Sequence, residues 1–238
     1  MVQRHGSTAF GESYAFPGGV LDEDDRAAHH LCRGIDAAGA NRLLKLADNG
    51  LDYFSAALRE LFEESGVLLA RDADGGWAFA RHPAQRAELR SHLLDNTLAW
   101  STLLGEHGLH LACDTLHYIG HWETPLQLAR RFSTRFFVAA MPVEQSAVHN
   151  AGELTDGRWL SASEALAMAD SGAMKVPFPT RRNLRYIAAH TSLSELLAWA
   201  RTRSSEGIER IRPETIEIDG ERRVVLPGDP GYPDGDGA

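Results

Sequence analysis

Apolar positions along this chain change their period several times, and those changes mark out its elements. Phe54, Ala57, Leu58 and Leu61 recur at three- and four-residue spacing, which predicts an amphipathic helix ending at Gly66. A glycine there suits a left-handed cap, and Val67, Leu68 and Leu69 predict a strand that follows at once. Leu89, Leu93, Leu94, Leu98, Leu103 and Leu104 predict a largely helical stretch over residues 83–106, divided at Asn96 and Thr97, which would cap its second half. Residues 117–122 and 135–140 read as strands, and 77–79 as a short strand or turn. Ser161 and Glu164 have capping-box spacing and open a helix, and two further helices are predicted over 180–189 and 192–203. Residues 1–4 read as the end of a strand, with the expectation that upstream coding sequence supplies its start. From Pro227 onward glycine, proline and aspartate dominate and predict a poorly ordered tail.

The polar face of the first helix carries the chemistry. Glu60, Glu63 and Glu64 stand at i, i+3 and i+4, so at about 100° per residue they share roughly one third of the circumference. Carboxylates this close repel by roughly 0.2–0.5 kcal/mol per pair. A hard divalent cation such as Mg²⁺ or Mn²⁺ reverses that sign, because it binds oxygen ligands. Arg59, four residues before Glu63, can hold that carboxylate in place. Taken alone, the cluster reads as an ordinary solvated face. The segment Phe16-Pro17-Gly18-Gly19 adds a turn in which backbone groups can approach an ion closely.

Composition narrows the classes. The 238 residues carry 33 acidic and 24 basic side chains, a net charge of −9, which argues against nucleic-acid or anionic-membrane binding. The length suffices for a full core in one domain. Cys32 and Cys113 are too few for a disulfide framework or a zinc site, so buried thiols in a reducing, cytoplasmic compartment are expected. No apolar run approaches transmembrane length.

Gly19 together with Arg59, Glu60, Leu61, Glu63, Glu64, Gly66 and Val67 resembles the Nudix hydrolase signature GX5EX7REUXEEXGU, where U is a bulky aliphatic residue. Asp25 stands at its first glutamate, and residues 26–51 form an insertion within the box. Trp122-Glu123-Thr124-Pro125 and Arg131-Phe132-Ser133-Thr134-Arg135-Phe136-Phe137 are similar to segments of the acyl-coenzyme A diphosphatase branch related to the peroxisomal enzyme. Glu153 to Leu160 and Pro179-Thr180 are similar to later segments of that branch, and Ser133 replaces its usual aspartate.

The resemblance implies an α/β Nudix fold, an α/β/α sandwich around a mixed sheet with helical insertions. It would be one domain over 1–226, with insertions at 26–51 and 83–106 and a flexible tail at 227–238. It implies hydrolysis of a nucleoside diphosphate linked to another group, coenzyme A or acyl-coenzyme A first. ADP-ribose or another nucleotide derivative, and a non-catalytic nucleotide sensor, are the alternatives. Gly18, through its carbonyl, with Glu60, Glu63 and Glu64 would hold Mg²⁺ or Mn²⁺. Arg59, Glu60 and Glu153 form the expected catalytic set, with Glu60 or Glu153 taking the proton from water and Asp156 and Glu144 as rivals to Glu153. Arg131 and Arg135, sharing a strand face, and the nearby Arg130 would meet phosphates or pair with surface acids. Trp122 and Trp159 would line a pocket or pack in the core. The partner is a small coenzyme A-like molecule, with no nucleic acid and no membrane, and the chain is compatible with a homodimer.

Overall fold

The computed structural model describes residues 1–4, 12–80, 82–128, 130–148, 154–218 and 220–233. The chain begins with strands β1 (Val2–Arg4) and β2 (Tyr14–Ala15), then helix α1 (Glu23–Ala27), strand β3 (Cys32–Arg33), and helices α2 (Ala37–Leu44) and α3 (Gly50–Ser65). Strand β4 (Ala70–Arg71) leads to helices α4 (Pro83–Leu94) and α5 (Trp100–Glu106), and then to strands β5 (His110–Ala112), β6 (His117–Glu123), β7 (Ser133–Val138) and β8 (Leu154–Gly157). Helices α6 (Ala162–Asp170), α7 (Phe178–Ala188) and α8 (Leu193–Glu206) precede strands β9 (Arg210–Ile211), β10 (Glu214–Ile218) and β11 (Glu221–Val225).

Among the described residues the strands form sheets ordered β2-β1-β8, β3-β5-β4, β7-β6-β9 and β10-β11. Pairing is mixed: β6 runs antiparallel to β7 and parallel to β9, and β5 runs parallel to β3 and antiparallel to β4. The class is therefore α/β. Helices cover both faces of the β7-β6-β9 sheet. Phe137 and Tyr118 turn to α3, where Phe54 meets the Phe137 ring at 5.1 Å. A register shift between Tyr118 and Gly120 puts Gly120 opposite Phe136 on the other face, where Asn183 of α7 closes on it. No helix of the described residues is long and apolar enough to cross a membrane.

The core is built on α3. Phe54, Leu58 and Phe62 are at most 1% exposed, so the buried stripe runs through Phe62, while Ala57 and Leu61 lie at its margin. The insertion expected at 26–51 contains α1's last turn, β3 and α2, with Ala40 and Leu44 buried against α3. Cys32 and Cys113 are free, buried thiols.

Several local expectations are corrected. Val67, Leu68 and Leu69 form no strand, because the Gln145 side-chain amide takes both backbone groups of Leu68, at 2.9 Å each. The strand starts only at Ala70. Residues 77–79 form the turn that was one of the two forms expected there, with a single bridge from Trp77 to Arg71. The stretch 83–106 does divide at Asn96, which takes a positive φ of 52°, but neither Asn96 nor Thr97 caps α5. Thr97 instead donates to the His92 carbonyl of α4, and the Asp24 carboxylate of α1 accepts from both the amide and the hydroxyl of Ser101. Arg131 precedes β7, so it shares no strand face with Arg135. The β10–β11 hairpin was not foreseen, and Tyr232 Oη donates across it to the Arg212 carbonyl at 2.9 Å.

His121 sits opposite Arg135 in the β6–β7 pair, only 8% exposed, with Nε2 2.8 Å from the Ser133 hydroxyl. Burial, then Arg135 and Arg210, push its pKa down to about 4. The unfolded chain, with an imidazole near pKa 6.5, then binds more protons than the folded one between about pH 6.5 and 4. The resulting stability is present above pH 6.5 and is lost as pH falls through that window. Urea denaturation of wild type and His121→Gln at pH 7 and pH 4.5 checks this: the loss on acidification is expected to be smaller in the variant.

Candidate active site

The site starts from a buried ion pair. Asp25, the third residue of α1, is wholly buried and accepts four hydrogen bonds. The Asp22 amide donates at 2.9 Å, which completes the capping box of α1, and Ser55 Oγ donates at 3.1 Å. Arg59 Nε and Nη2 supply the other two, at 3.1 and 3.0 Å. Arg59 is itself 7% exposed; burial disfavours its cation, but Asp25, Glu60 and Glu63 outweigh that and hold its pKa above the ordinary value. Its Nη2 also donates to the Val20 carbonyl at 2.9 Å, tying the glycine turn to α3.

Arg59 orders the acids on either side of it. Nη1 donates to Glu60 Oε1 at 3.0 Å and to both oxygens of Glu63, at 3.2 and 3.4 Å. Glu64, 7% exposed, accepts the Gly18 amide at 2.9 Å. Gly19 lies so close to Glu60 that a Cβ there would stand 2.3 Å from Oε1, a distance no side chain tolerates. Gly18 takes a φ of 153° that non-glycine residues rarely adopt. Gly18 is thus favoured by its conformation, and Gly19 by the Glu60 carboxylate, which a Cβ there would displace.

Both ends of α3 are held by the insertions. Asn49 enters with a left-handed φ of 62° and gives no side-chain cap; the first amide, of Gly50, instead meets Asn41 Oδ1 of α2 at 2.7 Å. At the far end Gly66 closes the helix at φ 70°, and α4 adds two cations to the exposed carbonyls. Arg86 Nε donates to Gly66 O at 3.1 Å and Arg90 Nε to Glu63 O at 2.9 Å. Cations at a helix C-terminus complement its dipole. From α5, Trp100 Nε1 donates to Ser55 Oγ at 3.2 Å, extending the chain of donors to Asp25. None of these contacts has a signal in local sequence, because each joins residues far apart in the chain.

Of the other expected site residues, Glu153 lies outside the described residues. Its rival Asp156 is engaged by Tyr14 Oη and Arg158 Nε, both at 2.6 Å, and Glu144 is exposed on a turn. Arg131 is exposed, and Arg130 stacks on Phe132 at 5.1 Å. Arg135 stacks on the Tyr53 ring of α3 at 4.1 Å. Trp122 is core, against Phe178 of α7, while Trp159 is 72% exposed.

In this conformation the glutamates are turned onto internal donors, and among the described residues no three acidic, histidine or cysteine side chains gather closely enough to cage an ion. The donor set nevertheless suits a hard divalent cation: three carboxylates on one helix face, beside a turn with no side chain to obstruct them. Helix neighbours three and four apart have Cβ atoms about 5–6 Å apart, so rotation of the glutamate side chains alone can bring them to one ion.

A family model described as the NUDT19 Nudix domain matches residues 47–186. The chain belongs to this family. It is a Nudix hydrolase, an enzyme class that generally uses divalent metal ions. It is 29% identical to human acyl-coenzyme A diphosphatase NUDT19, over 92% of this chain and 68% of the relative. It is 26% identical to the chicken protein of the same name, over 98% of this chain and 72% of the relative. The crystal structure of a NUDIX hydrolase from Alicyclobacillus acidocaldarius shares the fold, with a TM-score of 0.62 and 24% identity over 83% of this chain and 86% of that one. The matched Nudix segment begins after the glycine turn, which the Asp25–Arg59 and Gly18–Glu64 contacts return to it.

Gly19→Ala is expected to leave the Nudix fold intact, since the clash falls on the end of one side chain. Displacing the Glu60 carboxylate is expected to lower kcat by about 100-fold. Circular dichroism and steady-state kinetics on the same preparation check both.

Proposed function

We propose that this Nudix hydrolase cleaves the diphosphate of coenzyme A or acyl-coenzyme A, yielding 3′,5′-ADP and 4′-phosphopantetheine, acylated or not. The observation that carries the hydrolytic reading is the set of Glu60, Glu63 and Glu64, aligned by Arg59 and the Gly18 amide beside the glycine turn. The coenzyme A part is supported by the human and chicken relatives, whose names specify acyl-coenzyme A diphosphatase.

Glu60, Glu63 and Glu64, with the Gly18 carbonyl, would hold Mg²⁺ or Mn²⁺, which when bound neutralises diphosphate charge and makes a bound water more acidic. Arg59 acts as a positioning residue: its donors are spent on Asp25, Val20, Glu60 and Glu63, and its burial keeps it from the substrate. Glu63, both of whose oxygens face Arg59, is the least suited of the three to accept a proton. Glu60 is the stronger choice for that step, with Glu153 as its alternative. Water then attacks one phosphorus in line with the departing phosphate. Arg131 is assigned a phosphate contact on the resemblance alone.

A release assay over coenzyme A, acyl-coenzyme A, ADP-ribose and dinucleotides, with Mg²⁺ and with Mn²⁺, tests this reading. Wild type is expected to cleave the coenzyme A substrates in preference, and Glu64→Gln to lose at least about 100-fold in kcat. Preferred cleavage of ADP-ribose, binding without products, or full activity in Glu64→Gln would each overturn it.

A further inference from the structure

Tyr53, Glu60 and Glu64 are separated by seven and four residues on α3, so at about 100° per residue all three fall within roughly 40° of one line along the helix. Tyr53 stands about 10 Å from Glu60 along the axis, toward the N-terminus. The side chain laid on its ring is Arg135 of β7, 4.1 Å from the centroid. The guanidinium therefore occupies the same side of α3 as the carboxylates, some three helical turns from the farthest of them.

Arg135 is half-buried and differs from the buried arginines Arg59 and Arg86 in its partners. Arg59 is saturated by acids, and Arg86 donates to two backbone carbonyls. Arg135 has no carboxylate partner among the described residues, and its Nε and Nη1 are buried without a hydrogen bond. Stacking on Tyr53 compensates the face of the guanidinium but not the N–H groups in its plane. Leaving such donors buried and unpaired is costly. Tyr118, on the same sheet face and 1% exposed, holds a hydroxyl that is likewise buried without a partner. Burial pushes its pKa up to about 12, so it is a donor at neutral pH. Around them, His121 is neutral, Arg210 is paired with Glu123 at 3.6 Å, and Arg203 and Glu209 bear on Tyr118 with opposite signs. Unsatisfied donors beside an unpaired guanidinium call for an anionic oxygen acceptor, and a phosphate matches a guanidinium's paired N–H groups.

We propose that Arg135, Tyr118 and the Tyr53 ring form a subsite for a phosphomonoester carried by the substrate apart from the diphosphate that is cleaved. On the coenzyme A reading above, on which this rests, that group is the 3′-phosphate of the ribose. The subsite then selects coenzyme A over substrates with an unsubstituted ribose, and it does so through binding rather than chemistry.

Steady-state kinetics of wild type, Arg135→Ala and Tyr118→Phe on coenzyme A and on 3′-dephospho-coenzyme A test this, alongside calorimetric binding of 3′,5′-ADP and 5′-AMP to each protein. Wild type is expected to favour coenzyme A, and Arg135→Ala to reduce that preference by about tenfold or more, chiefly in KM. Tyr118→Phe, which keeps the ring, is expected to reduce it in the same direction by less. Equal losses on both substrates, or an unchanged preference in both variants, would overturn the subsite. If neither coenzyme A substrate is turned over, the proposed function fails by itself, and the nucleotide pair still decides. Tighter wild-type binding of 3′,5′-ADP than of 5′-AMP, abolished in Arg135→Ala, supports the subsite, and equal binding of the two refutes it.

Discussion

The buried pair of Asp25 and Arg59 holds the glycine turn and α1 against the acid-bearing helix α3. Two charges removed from water are costly, and their attraction offsets that cost only when geometry is close and the remaining donors and acceptors are satisfied. Here they are: Asp25 accepts four hydrogen bonds and Arg59 spends its donors on three carboxylates and a carbonyl. The pair joins positions 34 residues apart, so it brings a loop and a helix into a single unit. Its second effect is electrostatic. A single guanidinium faces Asp25 on one side and Glu60 and Glu63 on the other, and so eases the repulsion among acids that the helix alone would leave.

The two additions to the motif act on the same helix. Closing a longer loop costs little extra entropy, so an insertion between the glycine turn and α3 is tolerable if it packs. It does more than pack: Asn41 caps the start of α3, and α4 places Arg86 and Arg90 on the carbonyls at its end. Trp100 and Ser101 of α5 reach back to Ser55 and Asp24, and the Trp100 ring stands 6.2 Å from that of Phe62. These segments buttress the acid-bearing helix.

What could be read from the chain follows the range of the interactions involved. The acid trio, the Arg59–Glu63 pair, the Gly66 cap and the Ser161–Glu164 box all depend on spacings of three to five residues, and all stand where the pattern put them. Asp25 is a shorter side chain than the signature's glutamate, but its reach suffices because α1 itself carries it inward against Ser55 and Arg59. The strand expected at Val67 failed because a distant amide, Gln145, took over the backbone groups a neighbouring strand would have used. Capping of α5 by Asn96 or Thr97 failed for a similar reason, with Asp24 doing that work from another helix. Arg131 and Arg135 looked alike in sequence; only the start of β7 at Ser133, and the Tyr53 ring, set them apart.

The central claim is that the three glutamates of α3 together bind a divalent cation. Anomalous diffraction from crystals of the wild-type protein grown with Mn²⁺ and 3′,5′-ADP tests it most directly. The expected result is a manganese peak within about 2.0–2.4 Å of carboxylate oxygens from at least two of Glu60, Glu63 and Glu64. A map with no manganese at that face, and Arg59 still holding Glu60 and Glu63 as it does here, would contradict it.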